Sequence, residues 1–182
     1  MKEAFIKEIL QFWFEEITPK DWFVKNPEFD ELLTLRFGDL VEDAIGGRLD
    51  GWAKTKDGRL ALILLLDQMT RNIYRDTPKA FSGDEMALAM SLRAVHDGFL
   101  EEGQSKENQF FLMPMMHCEL IDIQEESIPL FERYTIDEVA EFAKKHRDIV
   151  ARFGHFPHRN AILGRPSTAE EIAFLEEPGS SF

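Results

Sequence analysis

The sequence is poor in cysteine, with Cys118 as its single thiol among 182 residues. A disulfide needs two thiols, so an internal disulfide framework is excluded and the composition fits a reducing compartment. The first apolar stretch is interrupted by Lys2, Glu3, Lys7 and Glu8, which is not the pattern of a signal peptide. These features predict a cytoplasmic protein.

Basic residues and long apolar runs are also scarce. Lys and Arg together number 21 against 34 acidic residues, which gives a formal net charge of −13. Nucleic acids and anionic lipid surfaces attract basic proteins, so we expect neither as a partner. The longest apolar run covers residues 60–66, far short of the roughly 20 residues that cross a bilayer. The sequence therefore predicts a soluble chain without a membrane segment.

Apolar residues are abundant and follow the helical period. Hydrophobic residues make up 44% of the chain, and 16 of them are Phe, whose ring has no polar group to satisfy in a core. Apolar positions recur every three or four residues, and no stretch of five alternates with period two. We predict an all-α fold of antiparallel helical hairpins, about seven to nine helices in one domain over residues 1–182, with a frayed tail from position 175.

Several dipeptides and tetrads have the form of helix starts. Asn26-Pro27 combines a capping residue with a proline at the first helical position. In a capping box, a hydroxyl residue and a Glu three positions later satisfy each other's free amides. The chain has three such pairs: Ser82 with Glu85, Thr135 with Glu138, and Ser167 with Glu170.

A first polar group follows the buried-looking run 60–66. Asp67, Arg71 and Arg75 are spaced four apart, so they share one face if the helix continues through them. One interpretation is a structural network of ion pairs. The other is a pair of guanidiniums oriented by a carboxylate and presented to an anion, because guanidinium forks suit phosphate and carboxylate.

A second polar group surrounds the cysteine. His117, with Glu119 and Gln124 as supporting residues, is a candidate proton carrier. On a helix His117 and Cys118 diverge by about 100°, which makes them a poor pair of metal ligands. The acidic neighbourhood does not favour a thiolate nucleophile, so we assign Cys118 to the core.

The third group is the segment 152–160. His155 and His158 are spaced as a metal pair could be, but Pro157 breaks the helix that would make the geometry regular. We predict neither a metal nor another cofactor here.

The same segment has the composition of an anion cradle. Arg152, Arg159 and Asn160 would supply donors, and His158 would exchange a proton near neutral pH. The alternative is a rigid turn whose polar groups bind neighbouring loops, and the sequence leaves both open.

These stretches together resemble a known bacterial family, the one catalogued as domain of unknown function 924. The matching pieces span almost the whole chain: residues 12–14, 64–75, 80, 81, 84, 114, 117, 119, 124, 152–165, 167, 168, 170 and 171. The resemblance implies a tetratricopeptide-like helical-hairpin fold and brings no established activity. The family usually has Arg where this chain has His155, which further weakens a metal site at that position.

Two functions remain open from the sequence. In the first, a small anionic metabolite or phosphoester binds where the three groups meet, with His117 or His158 as proton carrier. The donors would be Arg71, Arg75, Arg152, Arg159 and Asn160, supported by Asp67, Glu119 and Gln124. In the second, the chain is a tetratricopeptide-like interaction or scaffold module with a protein partner, and these residues are structural. Neither enzymatic activity nor the oligomeric state follows from the sequence.

Overall fold

The computed structural model describes residues 2–181, so the two ends of the predicted domain, positions 1 and 182, lie outside the described residues. The part described is helical and contains no strand, which confirms the all-α prediction. Its α-helices are α1 Lys2–Gln11, α2 Pro27–Ile45, α3 Lys56–Ile63, α4 Thr70–Ile73, α5 Asp84–His96, α6 Ser105–His117, α7 Ile121–Tyr134, α8 Asp137–Phe153, α9 Asn160–Leu163 and α10 Ala169–Leu175.

Two of these helices form a single rod. The π-helical segment Leu64–Met69 joins α3 to α4 without a break, so the described chain has nine separate helices, within the predicted range. The rod is buried along most of its length and packs against α1, α2, α5 and α6. It is the central element around which the main core forms.

The helix starts follow the predicted signals only in part. Asn26 caps α2 by accepting hydrogen bonds from the Glu28 and Phe29 amides at 3.0 and 3.4 Å. The boxes predicted at Ser82 and Thr135 are wrong, because each hydroxyl reaches back into the preceding turn and donates to a carbonyl there, at 2.7 Å in both cases. The third box exists one residue later than predicted, between Thr168 and Glu171.

The helices after the rod pack in chain order. α5 contacts α6, α6 contacts α7, and α7 contacts α8. The connections at 118–120 and 135–136 are so short that α6, α7 and α8 must run antiparallel to their neighbours. The antiparallel hairpins are therefore present, and the tetratricopeptide-like detail stays a prediction.

A smaller apolar cluster lies near the C-terminus. It consists of Ile149, Val150 and Phe156, with Phe153 and Phe174 packed against it. In the tail predicted to fray, Ser180 is buried and its hydroxyl donates to the Leu175 carbonyl at 3.1 Å. Over residues 2–181, every helix is too short or too polar to cross a bilayer.

Candidate functional site

The π-helical segment of the rod fixes the first predicted site residue. π-helical turns are rare in proteins, and those that occur are frequently found at functional sites. Such a turn contains an extra residue, which changes the direction of the side chains in it. All six residues of Leu64–Met69 are buried, and Asp67 has no exposed surface. The turn delivers the Asp67 carboxylate to the C-terminal end of α6, where His117 is the last helical residue.

Asp67 and His117 form a close pair. His117 Nδ1 lies 2.8 Å from Asp67 Oδ1, and Gln68 Nε2 donates to Oδ2 at 2.5 Å. Burial alone would raise the pKa of Asp67, but His117 and Arg71 outweigh it and hold this pKa well below its usual range. Burial lowers the pKa of His117. At neutral pH the pair is therefore an ionised carboxylate and an uncharged imidazole.

The tautomer of this imidazole follows from its partner. A carboxylate only accepts hydrogen bonds, so the proton sits on Nδ1 and the lone pair on Nε2. Within residues 2–181 no side chain or carbonyl hydrogen-bonds Nε2. The His117 side chain is 15% exposed.

Two guanidiniums lie beside the pair and share Asp84. Arg71 donates to both Asp84 oxygens at 2.8 and 3.0 Å, and to the Asp67 carbonyl at 2.7 Å. Arg159 Nη1 lies 3.5 Å from Asp84, and its Nη2 donates to the His117 carbonyl at 2.9 Å. These five residues (Asp67, Arg71, Asp84, His117 and Arg159) are called the His117 cluster below.

Arg159 is the least satisfied member of the His117 cluster. Its guanidinium carbon lies 4.8 Å from the centre of the Phe81 ring and 4.6 Å from that of Phe156. Its Nε is buried and has no hydrogen-bond partner among residues 2–181. Burial, together with the charge of Arg71, lowers the pKa of Arg159 to about 10. A buried donor without an acceptor is costly, which marks this position as unusual.

A short segment, residues 155–163, carries Arg159 onto the end of α6, and we call it the strap. The strap is flanked by Gly154 and Gly164, whose φ angles of 76° and 67° favour glycine. Glu119 fixes it by accepting from the Phe156 amide at 2.8 Å and from both Nη atoms of Arg165, at 2.7 and 2.9 Å. Glu119 thus holds the strap in place.

Two further histidines line the strap. The His146 ring lies 6.0 Å from that of His117 and 5.7 Å from that of Phe156, and the His158 ring lies 5.6 Å from Phe156. Burial lowers the pKa of His146 to about 3. Burial and the charge of Arg159 lower the pKa of His158 to about 4. Both rings are uncharged at neutral pH, which works against the predicted proton exchange by His158.

Two predicted ligand residues lie elsewhere. The rod ends at Ile73, so the condition of a continuing helix is not met, and Arg71 and Arg75 do not share a helical face. Arg75 turns to α2 and donates to Asp30 at 2.7 and 2.8 Å. Arg152 contacts Glu170 on the surface at 2.8 Å. These contacts are the ones that a structural role requires.

The two predicted amide side chains, Gln124 and Asn160, make hydrogen bonds that fix the ends of helices. Gln124 Nε2 donates to the Met116 and Cys118 carbonyls at 2.6 and 2.9 Å, which fixes the end of α6 below His117. Asn160 Nδ2 donates to Ser167 and Glu171, at 3.1 and 3.2 Å. Among residues 2–181 no three His, Cys, Asp or Glu side chains are grouped to hold a metal ion.

Asp84 is a member of the His117 cluster that the sequence motifs do not predict. Asp84 begins α5, where a carboxylate is favoured by the helix dipole, and nothing local signals a contact with Arg71 thirteen residues earlier. The available signal is Gly83, where a Cβ atom would lie 2.3 Å from the Leu66 carbonyl oxygen. This close approach seats the start of α5 on the π-helical turn and brings Asp84 to Arg71.

Comparison with known proteins identifies the family. The model of the family described as "Bacterial protein of unknown function (DUF924)" matches residues 9–179. The chain belongs to this family. A solved structure of a protein of unknown function from Agrobacterium tumefaciens is 36% identical, covers 97% of this chain and 99% of its own, and superposes with a TM-score of 0.91. No curated protein matches the chain.

Proposed function

We propose that this protein binds a small anionic metabolite, bearing a carboxylate or phosphate, at the His117 cluster, and that His117 accepts a proton from it. One observation carries the proposal: an uncharged, partly exposed imidazole is held through Nδ1 by the buried Asp67 beside two guanidiniums. A base oriented by a third group and flanked by fixed cations is the arrangement that enzymes use for proton transfer.

The charges of the cluster favour an anion that arrives with a proton. Asp67 and Asp84 balance Arg71 and Arg159 while His117 is uncharged, so the cluster by itself is close to neutral. A bound anion would add a negative charge and so raise the pKa of His117. An anion that carries an acidic proton gives it to the Nε2 lone pair, whereas an anion without such a proton leaves the lone pair free.

A thermal-shift screen tests this proposal. We expect phosphorylated and carboxylated metabolites to raise the melting temperature of the wild-type protein by mass action. Arg159→Gln, checked for native helicity by circular dichroism, should lose this shift. Arg75→Gln is the matched control, because it removes an equally charged arginine outside the cluster, and it should keep the shift. The absence of stabilisation by every anion would overturn the proposal.

A further inference from the structure

We propose that His117 is a phosphoryl acceptor, whose Nε2 attacks the phosphorus of a small acyl phosphate, so that the chain carries a transient phosphohistidine. This inference rests on the proposed function, since the donor must first be held at the His117 cluster. It goes further by naming the substrate class and a covalent step.

The orientation of the ring supports a nucleophile. Nδ1 donates to Asp67 Oδ1 at 2.8 Å, so the lone pair of the uncharged ring lies on Nε2. Gln68 Nε2 holds the second carboxylate oxygen at 2.5 Å and Arg71 lies 3.2 Å from the first, which stops the carboxylate from rotating. A nucleophile locked in this way loses little entropy on reaction.

The surroundings fit a phosphoryl group. Guanidiniums bind phosphate oxygens in pairs and stabilise the charge on a phosphoryl group in transfer. Arg159 is tied to the main chain of His117 itself and is fixed between two aromatic rings, so it is positioned before any ligand arrives. Arg71 is fixed by its two bonds to Asp84.

Cys118, the neighbouring nucleophile type, is not equipped for this role. Its thiol donates to the Met115 carbonyl at 3.1 Å, and burial raises its pKa, so it stays protonated at neutral pH. A protonated thiol is a poor nucleophile. Of these two adjacent side chains, His117 is therefore the one in the reactive form.

The step balances with an acyl phosphate as donor. The Nε2 lone pair forms the N–P bond while the P–O bond to the acyl group breaks, and the electron pair leaves on the carboxylate without needing a proton. The Nδ1 proton stays between the ring and Asp67, whose charge offsets the positive ring. Water then attacks phosphorus, the N–P electrons return to Nε2, and inorganic phosphate is released.

Intact-mass spectrometry of the full chain after incubation with acetyl phosphate tests the inference. We expect the mass gain of one phosphoryl group, stable in base and lost in acid, and peptide mapping of the wild-type protein should place it on His117. His117→Gln should abolish the gain, and Asp67→Asn should slow it by at least about tenfold, because the ring is then no longer oriented.

The chain contains a matched control. His96 Nδ1 lies 3.1 Å from Asp97, so it is also paired with a carboxylate, but its side chain is 78% exposed and it lies outside the cluster. His96→Gln should leave the mass gain unchanged.

The outcomes separate the two proposals. A phosphoryl group on His96, on lysines or nowhere, while anions still raise the melting temperature, overturns the phosphohistidine and leaves the binding site standing. If neither the mass gain nor the thermal shift occurs, both proposals fail. Because the wild-type map needs no variant, poor folding of Asp67→Asn or His117→Gln does not prevent a decision.

Discussion

Arg71 and Arg75 are four residues apart in the sequence, yet they lie in two different environments. Their side chains are 21% and 28% exposed, and each is paired with an aspartate, so neither burial nor charge separates them. The two environments differ in whether all of their polar groups have hydrogen-bond partners. Asp30 accepts hydrogen bonds from both Arg75 and Asn72, and the Asp30–Arg75 ion pair is called the Arg75 pair below. In this pair the charge of the arginine is matched by that of the aspartate. Arg71 instead belongs to a cluster in which, among the residues that the structure describes, the Arg159 Nε is buried without a hydrogen-bond partner. The His117 cluster therefore differs from the Arg75 pair in its unsatisfied groups rather than in the number of its charges.

The largest expected difference between the two regions is in stability. Asp67→Asn should lower the free energy of unfolding by about 3 kcal/mol, because it removes the charge of a buried carboxylate that pairs with Arg71 and His117. Asp30→Asn should cost about 1 kcal/mol, because its pair is partly solvated. Urea unfolding of both variants beside the wild type measures the two values. Equal losses would show that the two regions do not differ energetically.

Acid should destabilise the region around the His117 cluster before it affects the Arg75 pair. The pKa values of His146 and His158 fall to about 3 and about 4 in the folded chain, against roughly 6.5 when unfolded. The unfolded chain therefore binds more protons below about pH 6.5, and the free energy of unfolding should fall between about pH 6.5 and pH 4, by up to ~1.4 kcal/mol per pH unit for each histidine.

The Arg75 pair does not titrate in this window. Burial acts to raise the pKa of Asp30, but the hydrogen bond from Arg75 has the larger opposite effect, so this pKa is lowered. The stabilisation that the ionised Asp30 provides is therefore lost only at more acid pH. Urea unfolding at about pH 7.5, 6 and 5 measures the slope, and His146→Gln should reduce it, leaving the contributions of His117 and His158. A pH-independent unfolding free energy over this range would contradict the assignment of buried, uncharged histidines.

The smallest effects are expected at the arginines that lie outside the cluster. Arg75→Ala and Arg152→Ala should each change the free energy of unfolding by about 1 kcal/mol or less, because exposed ion pairs contribute little. Anion binding should be unchanged in both. If either variant lost the thermal shift caused by anions, the site would extend beyond the His117 cluster as it is defined here.

The sequence predicts several parts of the site because their signals are local. Asp67 follows a fully apolar run, His117 ends a helix, and Arg159 lies in a Gly- and Pro-containing turn, and all three meet in the structure. Asp84 carries no such signal, since its partner Arg71 comes from another helix. The spacing of four between Arg71 and Arg75 is a misleading signal, because it places the two side chains together only in a continuous helix. The helix ends at Ile73, before Arg75.

The π-helical segment is the feature that sequence patterns did not anticipate. Leu64–Met69 is apolar enough to continue any helix, and the extra residue in its turn decides where Asp67 points. This choice depends on packing against α2, α5 and α6, which are distant in sequence.

The sequence by itself determined the helical class, the family and the residues that have polar side chains near helix ends, because periodicity and motifs are local properties of the chain. Only the tertiary structure decided which arginine joins the histidine and which is neutralised elsewhere. Charge pairing acts over a few ångströms through space, and its partners here come from α2, the rod, α5, α6 and the strap. The separation of these partners along the sequence does not determine how close they lie in space.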